Sequence, residues 1–213
     1  MLSFWPVLGA RVVGDQRVRS LRACLDWTRR AGYDGVELSV SDIKALFFSP
    51  DTPLEEVVRD TNAAAKAAGV EIFGGTYHLV DGNKWTYAGE VTESSPCRDG
   101  MRQRPMFDVD QSGWRDELRA NFAHDKAMGC GYATFQVFLP ERHLNTGGAY
   151  RRDKAYLQQC ADRIGVIQRL CWEEGLNCYI ETHIERITED LEAFNEIMDL
   201  APEGLELNAD LSH

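Results

Sequence analysis

The chain has 213 residues, room for one large domain or two small ones. Hydrophobic residues make up 44% and charged residues 27%, which excludes collagenous, low-complexity and disordered chains. No apolar run approaches the ~18 residues that cross a bilayer, so no membrane span is expected. The net charge of −11, from 34 acidic and 23 basic residues, disfavours a polyanion such as nucleic acid as partner.

The charge is unevenly spread. From Glu181 to His213 there are ten acidic residues and one basic one, Arg186. Short basic clusters at Arg98–Arg104 and Arg151–Lys154 read as solvated surface. The apolar start, MLSFWPVLGA, has no Lys or Arg ahead of it and contains Pro6, so it reads as a strand and not as a signal peptide. Six cysteines are scattered with no Cys-x-x-Cys pair, which argues for buried, reduced thiols and a cytoplasmic setting.

A first strand is predicted at Phe4–Leu8. Helices then alternate with short β-rich runs at Tyr33–Val40, Val70–Tyr77, Tyr132–Phe138, Leu176–Glu181 and Leu205–Asp210. Gly32, Gly69, Gly129, Gly175 and Gly204 sit where each helix should end, since glycine accepts the left-handed conformation found there. The first helix buries Val18, Leu21, Leu25 and Thr28 on one face. Thr52-Pro-Leu-Glu55 reads as a capping box with Pro53 at the first helical position. Leu54, Val57, Thr61, Ala64 and Ala68 continue the stripe from it. Trp114, Leu118 and Phe122 mark the next helix, and Leu157, Cys160, Ile164, Ile167 and Cys171 a longer one. The last carries Leu191, Phe194 and Met198 after an N-cap at Thr188.

Strands that alternate with helices imply parallel pairing. The first turn reads Leu8-Gly9-Ala10-Arg11, with no dinucleotide fingerprint, and there is no P-loop. The pattern therefore favours a (β/α)8 TIM barrel, incomplete at about six βα units, over a doubly wound open sheet. The whole chain, 1–213, reads as one domain. Leu79–Ser112 breaks the rhythm, with 34 residues lacking a helical period. An insertion there, after strand three, lies on the C-terminal face of a barrel, where active sites sit.

The polar residues at the strand ends are His78 after strand three, Gln136 on strand four, Glu181 and His183 on strand five, and Asp210 and His213 on strand six. A single acid at a strand end is ordinarily a solvated one. Glu181 and Asp210 each end an apolar run, where a charge is costly unless paired or bound to metal. Adjacent strands lie ~5 Å apart, so the two carboxylates can converge on one divalent cation. Oxygen and imidazole ligands suit Mn²⁺, Mg²⁺, Co²⁺ or Zn²⁺.

The segments GYDGVELSV, IETHIERITED and ELNADLSH together resemble the xylose isomerase-like TIM-barrel superfamily, along the chain from its first strand to its end. That group includes sugar and sugar-phosphate isomerases and epimerases, inosose-type dehydratases and metal-dependent apurinic endonucleases. The resemblance implies metal ligation by Glu181 and Asp210, proton transfer by Glu181 with His213 as a shuttle, and substrate contacts from His183 and His213. His78, Gln136 and Trp5 are further substrate-facing candidates, with Tyr77 and Trp85 as walls for a sugar. The family's remaining ligands, on strands seven and eight, have no counterpart before His213, so the resemblance implies a chain truncated after strand six and inactive as it stands.

The expected activity of the full-length parent is isomerisation or epimerisation of a sugar, sugar phosphate or polyol. The expected partner is that small molecule, with no nucleic acid and no membrane, and self-association into a homo-oligomer is compatible with it. A lyase or dehydratase acting on a keto-sugar or inosose uses the same barrel. An endonuclease needs more histidines and a basic face, and Gln136 stands where that branch tends to place a histidine. A non-catalytic barrel is the fourth reading, against which the presence of both Glu181 and Asp210 argues.

Overall fold

The computed structural model describes residues 3–4, 21–80, 106–137, 153–182 and 187–209. Along the chain these form β1 (Ser3–Phe4), α1 (Leu21–Arg30), β2 (Gly35–Glu37), α2 (Val40–Phe47), α3 (Leu54–Ala68), β3 (Glu71–Val80), β4 (Met106–Asp108), α4 (Trp114–Ala127), β5 (Tyr132–Val137), α5 (Lys154–Glu173), β6 (Asn177–Glu181), a 3₁₀ turn (Ile187–Glu189), α6 (Leu191–Leu200) and β7 (Glu206–Asn208). The five glycines expected to end helices all have positive φ, between 69° and 96°.

The described residues fall into two compact units, one of 3–4, 21–76 and 121–132, the other of 77–80, 106–120, 133–137, 153–182 and 187–209. In the first, β1 pairs parallel to β2, and β2 parallel to β3, with Ser3 opposite Gly35 and Val36 opposite Ile72. The register shifts between Val36 and Glu37, which brings Glu37 opposite Gly74. Helices α1 and α2 pack on α3. Leu21, Leu25 and Thr28 are buried as the stripe requires, together with Cys24. Val18 lies outside the described residues.

In the second unit β3 pairs parallel to β4, and β6 parallel to β7, with Ile180 opposite Leu207. Helix α5 packs on β6 and on α6. Its whole expected stripe, Leu157, Cys160, Ile164, Ile167 and Cys171, is buried. The hydrogen-bonded order of the strands is β1-β2-β3-β5-β6-β7, with β4 on β3. That order runs in sequence, as in a barrel, and is not the order of a dinucleotide-binding sheet. The chain is a parallel α/β sheet consistent with an incomplete (β/α) barrel.

Several local expectations are corrected. The run read as a strand to Val40 ends at Glu37, and Val40 opens a helix. Ser39 caps it by accepting the Asp42 amide at 3.1 Å, and Asp125 accepts the Val40 amide at 2.6 Å. Residues 79–80 and 106–108 of the expected insertion are strand, while 81–105 lie outside the described residues. The capping box at Thr52 does not form: α3 begins at Leu54, and its N-cap, Pro53, has no side chain to offer. Its stripe turns slightly, burying Val57, Val58, Thr61 and Ala65 while Leu54, Ala64 and Ala68 stay half-buried. The N-cap of α6 is Asp190, which accepts the Ala193 amide at 3.0 Å, and not Thr188. Leu191, expected inside, is 70% exposed, and Ala193, Phe194 and Ile197 form the buried face instead. Among the described residues no helix is long and apolar enough to cross a membrane.

Candidate active site

Strand β6 carries Cys178 and Ile180 buried, and ends at Glu181, which is only 7% exposed. A carboxylate this deep needs polar partners. Gln136, on β5 and equally buried, donates its amide N–H to Glu181 Oε1 at 3.2 Å. Thr188, in the 3₁₀ turn, donates its hydroxyl to the Glu181 carbonyl at 3.0 Å. The Glu181 backbone is also in register with Asn208 of β7, and the Thr182 amide donates to the Asn208 carbonyl at 3.3 Å. Glu181 is thus held by its strand pairing, by a turn that folds back on its carbonyl, and by an amide on its carboxylate.

His78 lies near the end of β3, opposite Met106 in register, and is buried. Gln136 and Glu181 occupy the same part of β5 and β6. These three strand-end predictions fall in one compact unit, and the structure joins two of them, Gln136 and Glu181, directly. His183, Asp210, His213, Trp5 and Trp85 lie outside the described residues. Tyr77 is 1% exposed, between the rings of Phe107 at 5.5 Å and Phe135 at 5.6 Å, because its place in the alternation of β3 is the one opposite to His78.

Two polar features escaped the sequence reading. Thr134, two residues before Gln136 on the same face of β5, is fully buried, and among the described residues its hydroxyl has no hydrogen-bond partner. In the other unit, Glu37 accepts the Thr76 hydroxyl at 2.6 Å and the Tyr132 hydroxyl at 3.3 Å. The Tyr132 ring lies against Gly74, where an added Cβ would come within 2.4 Å of Cε2. Gly75 is similarly crowded, with a Cβ there meeting Asp125 Oδ2 at 2.7 Å. The Gly74-Gly75 pair lets Tyr132 and the Ser39–Asp125 cap approach β3 from different elements.

Among the described residues five cysteines are buried and in no disulfide: Cys24, Cys130, Cys160, Cys171 and Cys178. Burial pushes the Cys24 thiol up to about 12 from an ordinary 9.0. The Cys130 thiol is pushed up as well, by burial first and then by the Asp125 carboxylate.

Glu181 offers one carboxylate donor, held in position at a strand end. Among the described residues no three His, Cys, Asp or Glu side chains converge to hold one. Glu181 is the one predicted metal ligand within the described residues.

The chain matches no family model and no curated protein. Among solved structures it resembles AsbF from Bacillus anthracis, a probable 3-DHS dehydratase involved in petrobactin synthesis, with 15% identity and a TM-score of 0.55, over 98% of this chain and 62% of that one. It also resembles a sugar phosphate isomerase/epimerase from Parabacteroides distasonis, with 13% identity and a TM-score of 0.57, over 98% of this chain and 67% of that one. This chain shares the fold of these structures. A third structure, the IolI protein with a bound zinc atom, matches at 12% identity and a TM-score of 0.55, over 96% of this chain and 60% of that one. The chain therefore spans about three-fifths to two-thirds of the length of these structures.

Proposed function

We propose that the complete protein is a metal-dependent isomerase or epimerase of a sugar, sugar phosphate or related polyol, acting by proton transfer next to a carbonyl. The observation that carries this is Glu181, a buried carboxylate at the end of an apolar strand, with its carboxylate bonded by Gln136 and its carbonyl by Thr188. The solved neighbours support the substrate class, since they include a sugar phosphate isomerase/epimerase and a D-allulose 3-epimerase from Methylomonas sp..

In this reading Glu181 and Asp210 hold the cation, which when bound supplies positive charge for the oxygens of the carbonyl and its neighbouring hydroxyl. Glu181 takes a proton from the carbon between them and returns it, passing through an enediolate of the substrate. Gln136 orients Glu181. His183, His213, His78 and Trp5 bind the substrate, and His213 carries a proton between its oxygens. The buried cysteines, in no disulfide, support a reducing, cytoplasmic setting.

Elimination is the second reading, supported by AsbF among the neighbours. The same proton is removed, and a β-leaving group then departs. Exchange of solvent deuterium into a panel of ketoses, keto-inositols and 3-keto-glycosides tests both readings. Label retained in an isomer identifies the first, and loss of water from a labelled substrate the second. No exchange into any of them counts against both.

A further inference from the structure

We infer that Asn208 sets substrate specificity: its side-chain amide bonds a substrate hydroxyl beside the carbon at which Glu181 moves a proton. This rests on the reading of Glu181 as the base of that transfer. Strand β7 places Asn208 directly opposite Glu181 in the parallel register. Paired residues of a parallel ladder project from the same face, with their strands ~5 Å apart. Asn208 is therefore the β7 neighbour of Glu181 on its own face. Cys178 and Ile180, both buried, alternate with Glu181 and take the opposite face of β6.

Asparagine is depleted in strands, so its place here needs a reason. Its backbone is fixed by the ladder, and its carbonyl accepts the Thr182 amide at 3.3 Å. Its side chain takes no part in that pairing. Among the described residues the side-chain amide has no hydrogen bond, and the residue is half-buried, open to a small molecule on a fixed strand. The other polar residue of β7 on this face, Glu206, is already engaged by the hydroxyl of Tyr179, the residue opposite it. An amide both donates and accepts, as a sugar hydroxyl does. It is also uncharged, so it can hold an oxygen next to the reacting carbon without taking the proton that Glu181 moves. A group placed to bond a hydroxyl discriminates against an analogue that lacks it.

The test is solvent-deuterium exchange by the complete protein into ketoses, keto-inositols and 3-keto-glycosides, and then into each monodeoxy analogue of the member exchanged fastest. Asn208→Ala and Asn208→Leu both delete the amide, the second keeping similar bulk, and Glu181→Gln is the reference for loss of the base. Thermal melts establish folding, and either folded Asn208 variant suffices. The expected result is a fall in kcat/KM of about 3–10-fold for the parent substrate, the worth of one neutral hydrogen bond. For one monodeoxy analogue wild type and variant should be alike, because the bond is missing from both. Wild-type kcat/KM for the parent in a folded Asn208 variant, with exchange lost in Glu181→Gln, would overturn the role of Asn208 alone. So would an equal loss for the parent and for every analogue, which is the mark of a structural effect. No exchange by wild type into any member, or exchange undiminished in Glu181→Gln, would overturn the reading of Glu181 and the inference with it.

Discussion

Thr134 is fully buried and its hydroxyl has no partner among the described residues, so it carries a desolvation cost that no bond among them offsets. Thr134→Val keeps the shape and deletes that hydroxyl. It should raise stability by about 1 kcal/mol in denaturant titrations. A loss of similar size would show that the hydroxyl is bonded in solution, to an enclosed water. At this scale Glu181 was legible because a charge that ends an apolar strand is conspicuous in any sequence. Its partners were less so. Gln136 was recognised as a strand-end polar residue, but its bond to Glu181 spans 45 residues and leaves no local signal. Thr188 has the chemistry of an N-cap and lies near a helix start, yet Asp190 takes that role and the threonine hydroxyl goes back to the Glu181 carbonyl.

Strand β3 is shaped by what approaches it. Gly74 accommodates the Tyr132 ring, and Tyr132 and Thr76 both donate to Glu37, so two strand residues converge on one carboxylate in the first unit. Gly74→Ala should cost about 1–3 kcal/mol, the usual range for overpacking. In a Tyr132→Ala background most of that cost should vanish, because the ring that the new methyl meets is gone. A double-mutant cycle by chemical denaturation measures the difference, and a cost unchanged by Tyr132→Ala would remove Tyr132 as its cause. The helices and strands themselves were largely legible, since glycine stops and apolar stripes are local signals. Helix α2 was not. Its eight residues follow an apolar run that suits a strand equally well, and the decision is made by Ser39 and by Asp125, 85 residues away from the amide that it caps. The capping box at Thr52 failed for a related reason: with Pro53 as the N-cap, Thr52 falls outside the capping position.

For the whole molecule, the buried thiols set an alkaline limit. Cys24 has a folded pKa of about 12 against an ordinary 9.0, and Cys130 is raised in the same direction. The folded state therefore holds these protons more tightly than the unfolded chain. Stability should be independent of both thiols below about pH 9 and should fall as pH rises from there towards 12, by roughly 1.4 kcal/mol per pH unit for each thiol. Urea titrations across that range should show the fall, and Cys24→Ala and Cys130→Ala should each flatten it. An unchanged slope in both would place its origin elsewhere. The parallel order of strands was readable from the alternation of elements, and the solved neighbours have the same fold.

The central claim is that Glu181 performs the proton transfer of the complete protein. Glutamine at that position keeps the shape but loses both the charge that holds a cation and the basicity that accepts a proton. General-base catalysis is worth ~10²–10⁴-fold, and polarisation of the carbonyl adds several kcal/mol. Solvent-deuterium exchange into the substrate carbon, followed by NMR for wild type and Glu181→Gln across a metal titration, measures the step directly. The account predicts a fall in kcat of at least about three orders of magnitude at unchanged thermal stability, which more substrate does not restore. Exchange by Glu181→Gln at a near-wild-type rate at saturating metal would contradict it.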